Sequence, residues 1–419
     1  MPVFSGARRA PARPVRPSFR DPRFALLLAG QSVNSIGSWA SAIVLWGFAA
    51  YRFNASPEAI SVTVVCWSVP PAVLSPLTGA LVDRFGPRPL QIAGYLGAAA
   101  AALAMAAAGS LAFLDAMAAV YGAARSLSGP AAGALPPRVA ESGDLLAANS
   151  LLGVTSSIGQ VAGPLAASVL LATAGFGAAF VADAATYVVG AAVLLPLPIL
   201  PLPEEPGTVS PSGAAGVAVV TRDPGLRRVA LAGLGVMVTS GAFLVVEPLY
   251  ARHVLDRPPS QFALFEAAIG IGAIVTGLAL PRVRSRSPGT PTRTPAGTPP
   301  GTKPGTKALA LAAIGYGLAA ALFAGTTWIP AAYIGAFAWG ASGAVFYAVA
   351  ATTLQRLAPP GTLGRVVGVI STAESATETV SMPLAGVLVA AAGIRPGALA
   401  LASVAVAAGA ACLVRITAT

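Results

Sequence analysis

Gly79-Ala80-Leu81-Val82-Asp83-Arg84-Phe85-Gly86-Pro87-Arg88 places an Asp-Arg pair and two helix breakers between two long apolar segments. Gly86 and Pro87 cannot carry a helix onward and force a reversal. Gly79, about two turns earlier, is read as a point where two helices approach closely. Arg84 and Arg88 would then face an anionic membrane leaflet, so the stretch reads as a tight cytoplasmic turn in a polytopic membrane protein.

Working outward from this turn, apolar sequence runs in both directions. Of the 419 residues, 55% are hydrophobic and only 10% charged, and the mean hydropathy is +0.75. Soluble domains carry about 25% charged residues. Windows of roughly 20 apolar residues, the length that crosses a hydrocarbon core of about 30 Å, predict twelve spans. Six lie at 24–50, 60–81, 90–108, 111–135, 151–172 and 176–200. Six more lie at 229–250, 262–280, 308–324, 328–352, 366–390 and 398–413. The runs are continuous, whereas strands of a membrane barrel alternate over about ten residues. In lipid every backbone amide needs an internal partner, so the spans must be helices.

Basic residues follow this topology. If the amino terminus is cytoplasmic, only Arg52, Arg252, Arg257 and Arg395 among the 26 Lys and Arg fall outside, and Arg125 lies within a span. The asymmetry predicts both termini inside. The Arg-rich tail between Arg8 and Arg23 lacks aromatics and zinc ligands, so no nucleic-acid partner is expected despite the net charge of +11. Arg8-Arg9 is followed by Pro11, Pro14 and Pro17 and then by a run too long for a cleaved signal core, so it reads as a topology anchor. Cys66 and Cys412 fall in predicted helices near opposite ends of the chain and imply no disulfide framework.

Two Pro-, Gly-, Ser- or Thr-rich breaks, 201–228 and 281–307, divide the chain. The expected organisation is a basic tail (1–23), a first bundle (24–200), a central linker (201–228) and a second bundle (229–415) that contains the 281–307 loop. Neither break has enough apolar residues to fold alone. The halves echo each other, as a duplicated six-helix unit should. Gly163-Pro164-Leu165-Ala166-Ala167 is paired with Met382-Pro383-Leu384-Ala385-Gly386, and each runs on to a turn-opening Gly, Gly175 or Gly393. Gly79-x3-Asp83-Arg84 has a degraded partner in Gly277-x3-Pro281-Arg282.

The quoted turn resembles the major facilitator superfamily signature G-x-L-x-D-R-x-G-x-R, matched here by Gly79, Asp83, Arg84, Gly86 and Arg88. The resemblance implies an all-α membrane protein of twelve transmembrane helices in two pseudo-symmetric six-helix bundles, rocking about a central site. In that family the equivalent Asp helps latch the cytoplasmic side, and Asp83 is expected to meet the start of the eleventh span near Gly364-Arg365, where a helix amino terminus favours a carboxylate. An ordinary solvated turn is the alternative.

Arg125-Ser126-Leu127-Ser128-Gly129 resembles the family's R-x-x-Q-G pattern of proton-coupled exporters, with Ser128 replacing the Gln. A lone guanidinium at mid-membrane costs at least about 2.5–3.5 kcal/mol on insertion scales, so Arg125 reads either as a coupling or gating residue or as a structural tie to carbonyls. Gly159-x3-Gly163-Pro164-x2-Ala167 resembles the family's antiporter signature, with Ala for its last Gly. A plain packing seam satisfies the same pattern.

Glu374 and Glu378 are four apart, hence on one helix face, and stand roughly 14 and 20 Å beyond Arg365 along the axis. Two carboxylates so placed suit a proton-binding step. The rival readings are a site for a cationic substrate and simple hydrogen bonding to neighbouring helices. Asp183 joins the candidate charge network as a weaker member. Asp115, Glu247 and Glu266 lie nearer the outer boundary, and Asp115 and Glu247 are read as wet interfacial groups. Gln31, Asn34, Ser38 and Ser41 form one stripe of the first helix, facing the cavity or a neighbouring helix. Trp39, Trp46, Trp67, Trp328 and Trp339 could supply aromatic surface for an amphipathic ligand or anchor the lipid interface.

No G-x4-G-K-[ST] loop holds nucleotide phosphates, and the only His, His253, is isolated. No cofactor, metal site or catalytic group is therefore expected. The resemblance is nearest to the macrolide- and siderophore-exporter-like branch. It implies export of a small molecule driven by protons across a bacterial cytoplasmic membrane, with the chain working as a monomer in the lipid bilayer. Gradient-driven uptake on the same fold is the first alternative. A membrane-embedded lipid-linked transferase is a second, although the acids are scattered, and a non-transporting sensor is a third, although the chain has no soluble domain large enough to signal.

Overall fold

The computed structural model describes residues 22–135, 145–196, 213–285, 305–359 and 362–417. Six helices make the first half: α1 (Pro22–Arg52), α2 (Pro57–Phe85), α3 (Pro87–Ala106), α4 (Leu111–Ala134), α5 (Leu145–Thr173) and α6 (Gly175–Leu194). A short α7 (Gly213–Arg222) precedes the second set: α8 (Pro224–Leu249), α9 (Pro259–Ser285), α10 (Thr306–Gly325), α11 (Ile329–Leu357), α12 (Leu363–Ala392) and α13 (Ile394–Thr417). Each of the twelve long helices covers one expected span. Among the described residues, eleven are long and apolar enough to cross a membrane by length and composition. The twelfth, α4, has 24 residues, and Asp115 and Arg125 dilute its apolar character.

Local sequence sets the helix ends. Ser56 and Ser110 cap α2 and α4, each accepting a 3.3 Å bond from the amide three residues on. Asp223 caps α8 by accepting from the Gly225 and Leu226 amides at 2.7 and 3.1 Å. Between α2 and α3 the whole turn is Gly86, at φ 82° and ψ 160°, with Pro87 opening the next helix. Gly393 makes the equivalent turn between α12 and α13 at φ 90° and ψ 162°. Pro164 and Pro383 occupy matched interior positions of α5 and α12.

The central break departs from expectation. Its second part forms α7, which packs on α12 and α8. Gly216 permits this approach, since a Cβ there would lie 2.9 Å from the Arg365 carbonyl oxygen and 2.8 Å from Val369. Support comes from the neighbouring bundle, which an isolated linker would lack.

The two halves pack in the same way. In the first, α1 contacts α5 and α6, α2 contacts α4, and α3 contacts α4 and α6. In the second, α8 contacts α12 and α13, α9 contacts α11, and α10 contacts α11 and α13. The bundles meet through α2 with α12 and through α5 with α9, a pair of seams exchanged by the same correspondence. Small residues bring the helices together. A Cβ on Gly340 of α11 would stand 1.8 Å from the Ile269 carbonyl oxygen of α9, and one on Gly272 would stand 2.0 Å from that of Phe337.

Among the described residues, the bundles close on each other at one end only. There a Cβ on Gly386 of α12 would lie 2.9 Å from the Pro57 oxygen and 2.7 Å from Ser61 Oγ on α2. Arg252, in a π-helical turn that extends α8 over Tyr250–Val254, donates to the Ala50 carbonyl of α1 and sits 5.7 Å from the Tyr51 ring. At the opposite end, which carries the Gly86 turn, Cβ atoms on Gly79, Gly277, Gly364 and Gly368 would meet nothing within 4 Å among the described residues. The close approach expected at Gly79 is therefore not made in this conformation, because the α2–α12 seam is parted there.

Candidate functional site: a cavity between the bundles

A cavity of about 1540 Å³ occupies the parted interface. Trp39 and Trp46 of α1, Trp67 of α2 and Gln160 of α5 line it from the first bundle. Ser240 and Glu247 of α8, Glu266 of α9, Tyr316 of α10, Trp339 and Tyr347 of α11 and Ser375 and Glu378 of α12 line it from the second. Among the described residues, its lining includes three carboxyl groups and no Lys, Arg or His. Trp328 is instead 65% exposed at the start of α11.

The first-helix stripe turns elsewhere. Gln31 Oε1 accepts a 3.1 Å bond from Tyr95 Oη of α3, and Ser38 Oγ lies 3.0 Å from Tyr187 Oη of α6. Gln31 and Ser38 thus meet neighbouring helices, the second of the two readings of the stripe, and neither they nor Asn34 stands among the described lining residues, whereas Trp39 does. Gln31 and Ser38 find their polar partners inside the bundle.

Arg125 and Asp183 lie behind that wall, both beside Tyr121. The Arg125 guanidinium lies 5.0 Å over the Trp67 ring and 5.8 Å over the Tyr121 ring, within electrostatic range of Asp183. Asp183 is buried and accepts 3.0 Å from Tyr121 Oη, which itself lies 3.0 Å from Tyr187 Oη. Trp67 therefore separates this charged cluster from the cavity. The Gly159 and Gly163 pattern serves as a seam between α5 and α1, where added Cβ atoms would come within 2.1 Å of Ser35 Oγ and 2.6 Å of Trp39 Cβ.

Glu374 and Glu378 both face α8, one helical turn apart. Glu378 lines the cavity and accepts from Ser240 Oγ at 3.4 Å. Glu374 turns towards α8, where its Oε1 would lie 2.1 Å from a Cβ on Gly233. The Asp83 side chain lies outside the described residues, as do the 286–304 loop and the 1–21 tail.

The expectation that Glu247 is a wet interfacial group is overturned. Its side chain is 4% exposed, and it lines the cavity wall together with Glu266 of α9. The two residues stand 19 positions apart on α8 and α9, so no helix periodicity could bring them together on paper. Pro248, directly after Glu247 inside α8, was the available signal: a proline there leaves the carbonyl four residues back without its usual partner, and the π-helical turn follows. Asp115 is half-buried, accepting a 2.6 Å bond from Thr63.

Twelve membrane helices in two equivalent bundles around a central cavity define a multi-pass transporter fold. Residues 27–298 match the family model of the Major Facilitator Superfamily, and the chain belongs to that family. An uncharacterised transporter of the same type, YfiS of Bacillus subtilis (strain 168), is 23% identical over 279 residues, covering 65% of this chain and 67% of its own. Among solved structures, a point mutant of the nucleoside transporter NupG aligns with a TM-score of 0.74 at 15% identity, over 94% of this chain and 99% of its own. The peptide transporter POT in complex with sulfate aligns at 0.74 and 14% identity, over 96% of each chain. An inward-facing bacterial homologue of the human lysosomal transporter Spinster aligns at 0.68 and 13% identity, over 94% and 97%. At these identities the likeness is one of fold.

Proposed function

We propose that the chain is a proton-coupled antiporter that exports a small amphipathic molecule, such as an antibiotic, toxic compound or siderophore, across a bacterial cytoplasmic membrane. Both termini lie in the cytoplasm in this reading, which makes the present conformation inward-open. The supporting observation is the cavity lining, in which four indoles and two phenols surround three carboxyl groups with no basic side chain among the described residues. Aromatic surface holds an amphipathic body, and acidic groups can carry either a proton or a cationic headgroup. Coupling belongs to the acids of the second bundle, Glu374 and Glu378 together with Glu247 and Glu266. Arg125 and Asp183 set the packing of the first bundle against them. Asp83 serves as the inner latch, with Gly79, Arg84, Gly86 and Arg88 forming its turn.

The test begins with an untargeted comparison of metabolites exported by cells with and without the gene. The compound identified is then offered to inverted vesicles under an imposed pH gradient. Accumulation that requires the gradient is the expected result. Accumulation only in right-side-out vesicles would instead establish uptake, and transport whose pH response survives both Glu374→Gln and Glu378→Gln would remove that pair from coupling.

A further inference from the structure

Three arginines meet the ends of neighbouring helices in the same way. Arg88 of α3 donates to the Leu195 carbonyl at the end of α6, Arg395 of α13 to the Gly325 carbonyl at the end of α10, and Arg252 to the Ala50 carbonyl in the last turn of α1. A guanidinium is favoured at such a place, because the last carbonyls of a helix have no partner of their own and carry its negative dipole end. The first two bonds lie within a bundle, so rocking of one bundle against the other leaves them intact. Arg252, alone of the three, joins the second bundle to the first.

The duplication of the chain places this bond. Asn54 and Asp256, at φ 50° and 51°, are the non-glycine residues with left-handed backbone among the described ones. Each lies shortly before the proline that opens the next helix, Pro57 of α2 or Pro259 of α9. Arg252 and Ala50 are 202 positions apart, and so are Asn54 and Asp256. Arg252 therefore holds its own counterpart in the other half, which puts the bond beside the two-fold axis that relates the bundles. Ala50 has only a methyl group to offer in return, so the bond is made once.

The two halves also wind differently here. The first bundle keeps α1 α-helical through Arg52, whereas Tyr250–Val254 form the π-helical turn that carries Arg252, a winding found mostly at functional positions. Around the bond the closed end is held by apolar and backbone contacts. A Cβ on Gly47 of α1 would lie 3.6 Å from the Phe262 ring of α9, and Gly386 lies against Pro57 and Ser61. Parting the bundles at this end must pull the guanidinium off α1 and away from the Tyr51 ring, 5.7 Å from it.

We propose that Arg252 is a latch that sets the balance between the two open states of the protein. While its guanidinium caps α1, the end that carries the Gly86 turn stays parted, and its release lets the opposite end open. Calling the latched end the outer one rests on the export reading above. The latch itself requires only that the two ends open in turn.

The experiment uses the purified full chain carrying Cys66→Ser and Cys412→Ser, labelled with a water-soluble maleimide. One reporter is Ser61→Cys, under Gly386 at the latched end, and the other is Ser371→Cys on the cavity wall. Arg252→Gln should speed labelling of Ser61→Cys at least tenfold, the weight of a hydrogen bond from a charged group in an equilibrium, without speeding Ser371→Cys. Tyr51→Leu, which removes the ring beside the cation, should speed it about two- to fivefold. Arg395→Gln, which breaks the corresponding bond inside the second bundle, should change neither rate. Unchanged labelling in Arg252→Gln, an equal rise in Arg395→Gln, or a parallel rise at both reporters would overturn the latch. Thermal melting checks each variant, and Tyr51→Leu decides should Arg252→Gln fail to fold. Uptake in the vesicle assay would overturn the export reading and leave these rates as expected, whereas gradient-driven export with unchanged labelling would overturn the latch alone.

Discussion

Tyr121 Oη on α4 donates a 3.0 Å hydrogen bond to Asp183 Oδ2 on α6, and the same tyrosine ring lies beneath the Arg125 guanidinium at 5.8 Å. One phenol thus joins the only cation placed at mid-membrane by the sequence to a buried acid 58 residues further along the chain. Truncating either charged partner leaves the other uncompensated, which costs about 3–5 kcal/mol for buried pairs. Arg125→Met and Asp183→Leu should each lower the melting temperature. The double variant should lose less than the sum of the two, and strict additivity in that cycle would show that the charges are not coupled.

The α9–α11 crossing depends on the missing side chain of Gly340. A Cβ there would stand 1.8 Å from a backbone oxygen, which cannot rotate aside. Gly340→Ala is expected to destabilise by about 1–3 kcal/mol, the usual range for an overpacked interior. Gly277→Ala, on the open end of the neighbouring helix, meets nothing within 4 Å and should melt as the wild type does. Equal melting of both variants would contradict this packing.

Gly86 turns the chain between α2 and α3 at φ 82° and ψ 160°, a conformation left almost entirely to glycine. Gly86→Ala should cost about 1–3 kcal/mol from backbone strain alone. Because Gly393 has nearly the same geometry, Gly393→Ala should cost a similar amount. A thermal melt of the two variants checks both values, and an unstrained result at either would refute the assigned turn.

Among the described residues, the bundles are parted at the end that carries the Gly86 turn and packed together at the opposite end. In a Cys66→Ser, Cys412→Ser background, Ser371→Cys on the cavity wall should react rapidly with a water-soluble thiol reagent. Ser61→Cys, buried under Gly386 where α2 meets α12, should react slowly. The order reverses if substrate or a pH gradient drives the bundles to the opposite state, so rates that never respond to either would argue against alternating access.

Much of the architecture was legible because its signals are local. Every expected span became a helix, most of them starting a few residues before the expected limit, since caps such as Ser56 and Asp223 lie in the polar zone where hydropathy has already fallen. The paired Pro164 and Pro383 and the turns at Gly175 and Gly393 announced the duplication that the helix contacts display. The α7 helix was not legible, because its stability comes from the bundle it lies on. For α1 the sequence left the cavity and a neighbouring helix both open to the stripe, and packing chose: Gln31 and Ser38 turn inward while Trp39, one residue on from Ser38, reaches the cavity.

Apolar length, breaker residues and the asymmetry of basic charge told the number of crossings, their ends and the repeat, since lipid imposes those demands on each segment independently of its neighbours. Which acids gather was settled only by packing: Glu247 and Glu266 come to one cavity wall from two different helices, whereas Glu374 and Glu378, one turn apart, both face α8. Helix periodicity fixes angles within a segment. The angle between segments comes from side-chain contacts such as that of Gly340 with Ile269, which exist only once the bundles have assembled.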